Sequence, residues 1–239
     1  MIAHASVSRD GGRAVNEDSI GIVQEGDSFL FLLADGLGGH GRGEVASRLV
    51  VDEAARLFMG GWPGLGDCFQ RCQDSLAAEQ LRLGAMNEMK TTLAGLEIGG
   101  GFAQWCHVGD SRVYRFVKGK NVSRTLDHSV PQMLVMSGEI KERDIRGHED
   151  RNRLLRVMGM EWSSPRYELG ARQPLGNNES YLLCSDGFWE LILEREMERL
   201  LKDSPDPGAW IERMEAEVLK NGRGVHMDNY SAIAVYLRG

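Results

Sequence analysis

No apolar run in these 239 residues approaches the roughly 20 needed for a helix to cross a bilayer. The first residues, MIAHASVSRD, lack the basic and apolar regions of a signal peptide. A cytoplasmic protein without a membrane partner is the expectation. There is no Lys/Arg-rich run, and the net charge is −7, so a nucleic-acid partner is disfavoured. Cysteine is scarce: the four, at 68, 72, 106 and 184, have no zinc-site spacing. Cys68 and Cys72 stand one helical turn apart on a stripe with Leu65, Phe69 and Leu76 and read as small core residues. No internal repeat or disordered tract is needed. With 42% apolar and 26% charged residues, the composition is that of one large globular domain over 1–239.

The most informative stretch is Ser28 to Ser47, SFLFLLADGLGGHGRGEVAS. From Phe29 to Ala34 both alternating faces are apolar, which describes a strand covered on both sides. That strand delivers Asp35 into a glycine-rich turn, where a buried acid costs desolvation energy unless a cation or donor compensates. Taken alone, the loop fits equally well a strand-to-helix connection whose aspartate caps the helix. It is not a Walker phosphate loop, because Arg42-Gly43-Glu44 stands where a Lys-Ser/Thr pair is required. A dinucleotide loop is disfavoured too, since the acid precedes the glycines and the flanking strands do not alternate with helices.

Short strands are predicted at 2–8, 19–24, 91–98, 102–108, 112–117, 121–124, 166–169, 181–185 and 230–237. Helices are predicted at 44–58 (Val45, Leu49, Val50, Ala54, Leu57 and Phe58 inward), at 65–83, at 189–201 (Trp189, Leu193, Met197, Leu200 and Leu201 inward) and from Asp206-Pro207 to Gly222. Leu126 to Met160 is polar, Met-bearing and mostly helical in period, with helix starts near Pro131 and Lys141, and reads as a surface insertion. Runs of antiparallel strands with helices in pairs imply an α+β fold, two sheets packed face to face with helices outside.

Acids at 17, 35, 110, 186 and 228 then all fall at strand ends or tight turns. Gathered at one edge of the sandwich, they offer oxygen ligands without a His/Cys cluster, the chemistry of Mg²⁺ or Mn²⁺ and not of Zn²⁺. A shared central carboxylate suggests two ions.

The chain resembles the metal-dependent serine/threonine protein phosphatases of type 2C, in their compact bacterial form. The resemblance runs in order through Arg13-x-x-Asn-Glu17-Asp18, Ala34-Asp35-Gly36-Leu-Gly-Gly-His40, Gly43-Glu44-Val-Ala-Ser47, Thr91-Thr92-Leu, Val108-Gly109-Asp110-Ser111-Arg112, Asp127-His128-Ser129, Cys184-Ser185-Asp186-Gly187 and Asp228-Asn229. It implies a four-layer α-β-β-α sandwich with two metals at its edge and a flap at about 126–160. It also implies that Asp35, Asp186 and Asp228 hold the first ion and that Asp35, the Gly36 carbonyl and Glu17 through water hold the second. Asp18 would support them, and Arg13 would receive the phosphate with its planar fork. Asp110 and Glu190 would contribute to a third, weaker site, although the family usually carries aspartate where Glu190 stands.

The implied reaction is hydrolysis of phosphoserine or phosphothreonine in proteins, the targets of a cognate kinase, by a water or hydroxide bridging two Mn²⁺ or Mg²⁺ ions, without a covalent phospho-enzyme. His40 suits protonation of the leaving group by its ordinary pKa. It stands four residues after Gly36, however, whereas the eukaryotic relatives place their histidine directly after Asp-Gly, and a backbone-bonded loop histidine accounts for it as well. A silent scaffold relative is disfavoured because the acids and Arg13 are all present, and a two-metal nuclease by the acidic balance.

Overall fold

The computed structural model describes residues 1–38 and 41–238. In chain order it contains β1 (Ile2–Arg9), β2 (Asp18–Glu25), β3 (Ser28–Asp35), α1 (Gly43–Gly60), α2 (Leu65–Leu83), β4 (Leu93–Gly99), β5 (Phe102–Val108), β6 (Arg112–Val117), β7 (Lys120–Arg124), α3 (Val130–Ser137), β8 (Glu168–Leu169), β9 (Gln173–Pro174), β10 (Glu179–Cys184), α4 (Asp186–Trp189), α5 (Glu194–Lys202), α6 (Pro207–Asn221) and β11 (Tyr230–Leu237). Two antiparallel sheets result, one ordered β1-β11-β10-β6-β7 and the other β2-β3-β4-β5-β8, with β9 also on β5.

Strand alternation explains the layers. In β3, Phe31 and Leu33 point between the sheets, where they meet Leu96, Ile98, Tyr181, Leu183, Ile233 and Val235. Leu30, Leu32 and Ala34 point the other way, onto α1 and α2 through Val50, Ala54, Phe58, Phe69, Cys72 and Leu76. The same division in β10 and β11 sends Leu182, Cys184, Ala232 and Ala234 toward Met197, Trp210, Met214 and Val218 of α5 and α6. The molecule is therefore the four-layer α-β-β-α sandwich expected.

Several local expectations need correction. The helix expected at 189–201 is broken into α4 and α5, and Leu193 is not on an inward stripe: it caps α5 in extended conformation, 40% exposed. The break has a cause outside the segment. The Arg146 guanidinium donates to the carbonyls of Trp189 and Ile192 and pairs with Glu194, so carbonyls that a continuous helix would satisfy internally are satisfied from 126–160 instead.

That segment is less helical than its pattern suggests. Helices do start where expected, at Ser129-Val130-Pro131 and after Lys141, but the second is a short 3₁₀ turn (Glu142–Gly147) and 148–160 is irregular. It is also anchored rather than merely superficial, since Ile145 is buried in the α5/α6 core and Met158 pairs with Thr91. In α1, Val45 is exposed and Leu49 half-buried, while Ala46 and Val51 lie inside, so the inward face is rotated from the one expected. β4 begins at Leu93, and β8 retains only two residues of the strand expected at 166–169.

Candidate active site

The two most apolar strands bring their acids to the same edge. β3 ends on Asp35, and β10 is followed by Ser185 and Asp186, the latter opening α4. β11 follows Asp228-Asn229, and the turn between β5 and β6 carries Asp110. Asp35, Asp110, Asp186 and Asp228, with Glu17, Gly36, Thr92 and Arg13, line one cavity of about 360 Å³, closed on the 126–160 side by Asn152 and Leu154.

Backbone bonds fix the cradle. Asp35 is held on both sides by Thr92: its N–H donates to Thr92 Oγ1 (2.9 Å) and its carbonyl accepts from the Thr92 N–H (2.8 Å). The Thr91 hydroxyl adds a third bond to the same carbonyl at 2.8 Å. Gly36 N–H donates to the Glu17 carbonyl (3.1 Å), which brings the first loop against the glycine turn. A Cβ at Gly38 would stand 2.0 Å from Glu17 Oε2, so a glycine there leaves room for the carboxylate. Gly109, at φ +101°, is likewise enforced, because a Cβ would strike the Thr92 side chain at 2.5 Å.

Asp18 faces Asp35 across the β2–β3 register and is buried behind the cavity, with Oδ2 accepting from the Ser185 hydroxyl at 2.8 Å. Its Oδ1 has no partner. Burial pushes Asp18 up to about 7, against the hydroxyls of Ser231 and Ser185, which lower it. Burial and the charge of Asp228 push Asp186 up to about 6, and burial and the surrounding aspartates raise Asp35 and Asp110. Glu17 is raised by burial and by Glu44. Mutually repelling carboxylates with an unsatisfied buried oxygen and no sulfur or imidazole among them fit a hard divalent cation, which reverses each of these shifts.

Arg13, at the cavity, donates to Asp228 Oδ2 at 2.7 Å, an ion pair half open to solvent. Not every expected residue converges. Glu190 does not line the cavity; it pairs at 3.3 Å with Arg151, and burial with the nearby Asp186 pushes it up to about 7. His40 lies outside the described residues.

Sequence reasoning missed the support beneath Asp110. Trp189 Nε1–H donates to the Asp110 carbonyl at 3.0 Å, and the Arg112 guanidinium lies 3.4 Å from the Trp189 ring centroid. Arg112 in turn makes a two-pronged bond to Asp127 at 2.8 and 2.6 Å, both side chains 1% exposed. A basic residue directly after Gly-Asp-Ser was the available signal, but its burial was not legible.

Among the described residues, spacing alone singles out a different metal candidate, His107, His128 and Glu168, whose ligating atoms lie within 4.8 Å of one another. Chemistry argues against it. The two imidazoles are stacked at 4.6 Å and 16°, which aims their lone pairs side by side instead of at one point. His128 Nδ1 accepts from the Gly109 N–H (3.2 Å), and so its other nitrogen carries the proton. His128 instead buttresses the Gly109-Asp110 turn, its backbone N–H also donating to the Gly109 carbonyl at 2.9 Å.

The protein phosphatase 2C family model matches residues 8–220. The serine/threonine phosphatase stp of Listeria welshimeri serovar 6b is 32% identical over 216 residues, 83% of each chain. Among solved structures, the serine/threonine phosphatase Stp1 of Staphylococcus aureus superposes with a TM-score of 0.88 at 26% identity, covering 100% of this chain and 96% of that one. The catalytic domain of the serine/threonine protein phosphatase PstP, in complex with two manganese ions, superposes with a TM-score of 0.81 at 26% identity, covering 100% and 99%. Fold, cavity and sequence agree, and the chain belongs to the protein phosphatase 2C family of serine/threonine protein phosphatases.

Proposed function

We propose that this protein hydrolyses phosphoserine and phosphothreonine in proteins, in the cytoplasm, with two Mn²⁺ or Mg²⁺ ions held by the acids of the cavity and 126–160 acting as the flap of a single domain over 1–239. The observation that carries the reading is the convergence of Asp35, Asp186, Asp228 and Glu17 with Arg13 on one cavity. Asp35, Asp186 and Asp228 would hold one ion; Asp35, the Gly36 carbonyl and, through water, Glu17 would hold the other. Bound there, the ions would supply an activated water nucleophile and neutralise phosphate charge.

The chain's own residues do the rest. Arg13 receives the phosphate: its guanidinium is at the mouth of the cavity, half exposed, and a cation on Asp228 competes for the carboxylate that now occupies it. Asp18 holds its place behind Asp35 through Ser185. Asn152 and Leu154 narrow the cavity from the flap side. His40 is a candidate donor of the leaving-group proton. Phosphorylated proteins, those of a cognate serine/threonine kinase, are the expected partners.

The test is hydrolysis of para-nitrophenyl phosphate and of a phosphothreonine peptide with Mn²⁺ or with EDTA. Turnover in Mn²⁺ alone is expected, and turnover unaffected by EDTA would contradict the proposal.

A further inference from the structure

Residues 10–17 connect β1 to β2 without regular structure, yet carry both Arg13 and Glu17. A loop of this kind places a guanidinium reproducibly only if its backbone is tied down elsewhere. Within it, Arg13 N–H bonds back to the Asp10 carbonyl at 2.9 Å, a turn that shapes the loop but does not attach it.

Gly36, Ser47 and Ser8 tie its Asn16-Glu17 end, and one side chain at the far end of the sequence ties it at three points, on both sides of Arg13. Asn229 is 5% exposed, and every hydrogen-bonding atom of its amide is used on this loop. Its Oδ1 accepts from the Glu17 N–H at 2.9 Å, and its Nδ2 donates to the carbonyls of Asp10 and Val15, each at 3.0 Å. These partners fix the orientation of the amide and its chemistry: one acceptor for an N–H, two donors for two carbonyls. Aspartate has the same shape but would present an oxygen to both carbonyls.

The same residue also fixes the other end of the Arg13 ion pair. The Asn229 N–H donates to Asp228 Oδ1 at 2.8 Å, while Arg13 takes Oδ2 at 2.7 Å, so both oxygens of that carboxylate are assigned. Gly12 N–H to the Met227 carbonyl, 3.0 Å, is the remaining backbone tie between the two segments. We infer that Asn229 is a positioning residue for the phosphate contact: it sets the distance and direction of the Arg13 guanidinium relative to Asp228, and acts on substrate only through Arg13. The inference rests on the reading of Arg13 as the phosphate ligand.

A double-mutant cycle separates this from a general structural role. KM and kcat for a phosphothreonine peptide are measured at saturating Mn²⁺ for the unmodified protein, Asn229→Ala, Arg13→Ala and the double variant. Losing these buried bonds should raise KM about tenfold with Arg13 present. With Arg13 already removed, the same change should raise KM less than about twofold, because the two act as one unit. Asn229→Asp should raise KM at least as much as Asn229→Ala. Where Asn229→Ala does not melt cooperatively, Asn229→Ser replaces it. An equal fold-change in both backgrounds, or an unchanged KM in Asn229→Ala, overturns the inference while leaving the role of Arg13 intact. An unchanged KM in Arg13→Ala overturns the phosphate reading and this inference with it.

Discussion

Arg13 and Asp228 are 215 residues apart in sequence and 2.7 Å apart in space, and each is proposed for a different task, one for phosphate and the other for metal. The pair is half open to solvent, so the attraction itself adds little to stability. Its consequence is competition: any cation that binds Asp228 weakens the hold on the guanidinium and leaves it free for an anion.

Arg13→Ala should therefore raise KM for a phosphopeptide by about 10- to 100-fold, the loss of a charged hydrogen bond, with a smaller fall in kcat. Affinity for Mn²⁺ should stay level or improve, because a competitor for Asp228 has gone. Steady-state kinetics beside calorimetric titration distinguish the two effects. An unchanged KM with weakened Mn²⁺ binding would reverse the assignment.

The acids at 35, 186 and 228 were legible because each ends or precedes a strand apolar on both faces, a place where an unpaired carboxylate is expensive. The two packed sheets were legible from runs of antiparallel strands with helices in pairs, and the double covering of β3 from its parity, as Phe31 and Leu30 on opposite faces show. The break at 190–193 was not, because its cause is Arg146, more than forty residues away, supplying donors that the local pattern cannot reveal. The role of Asn229 was not legible, since it lies in a bond to the Glu17 amide 212 residues earlier. Glu190 was expected beside a metal, but its partner is Arg151, from a segment whose polar pattern gave no register.

Stability should depend on pH in a sense opposite to that of salt-bridged acids. Asp18 and Asp186 stand at about 7 and about 6 in the fold, above the ordinary 3.8. The folded state thus binds more protons, and the stability this gives, present at low pH, is lost as pH rises from about 4 through about 7. In EDTA the melting temperature should fall over that window by several degrees, at ~2–4 °C per kcal/mol for a chain of this size. Saturating Mn²⁺ should abolish the fall, since it favours the charged carboxylates. Thermal melts across pH with and without Mn²⁺ test this, and a flat profile in EDTA would contradict it.

Arg112 and Asp127 form a fully buried ion pair under Trp189. Arg112→Met leaves the Asp127 charge with only the longer contact to Arg124, 3.6 Å away, and should cost about 3 kcal/mol, the lower end for a broken buried pair. Urea unfolding should show it. Because Trp189 bonds to the Asp110 carbonyl, the surviving folded fraction should also have reduced kcat.

A third metal held by Asp110 and Glu190 requires Glu190 to leave Arg151. Asp110→Ala should lower kcat on phosphopeptides with the two core ions still bound, and Glu190→Asp should preserve or improve activity. Mn²⁺ stoichiometry at high free metal, with kcat, decides it: no change in either for Asp110→Ala would reduce both residues to structural roles.

The carboxylates converging on this edge are proposed to hold the metals that activate water. The most direct measurement is phosphothreonine-peptide hydrolysis against Mn²⁺ concentration for the unmodified protein and for Asp35→Asn, Asp186→Asn and Asp228→Asn, each checked for a cooperative melt. The expected result is at least a ~100-fold loss of turnover in every folded variant, the scale of several kcal/mol of charge stabilisation, together with loss of at least one bound Mn²⁺. Near-normal turnover at saturating Mn²⁺ in all three would contradict the claim.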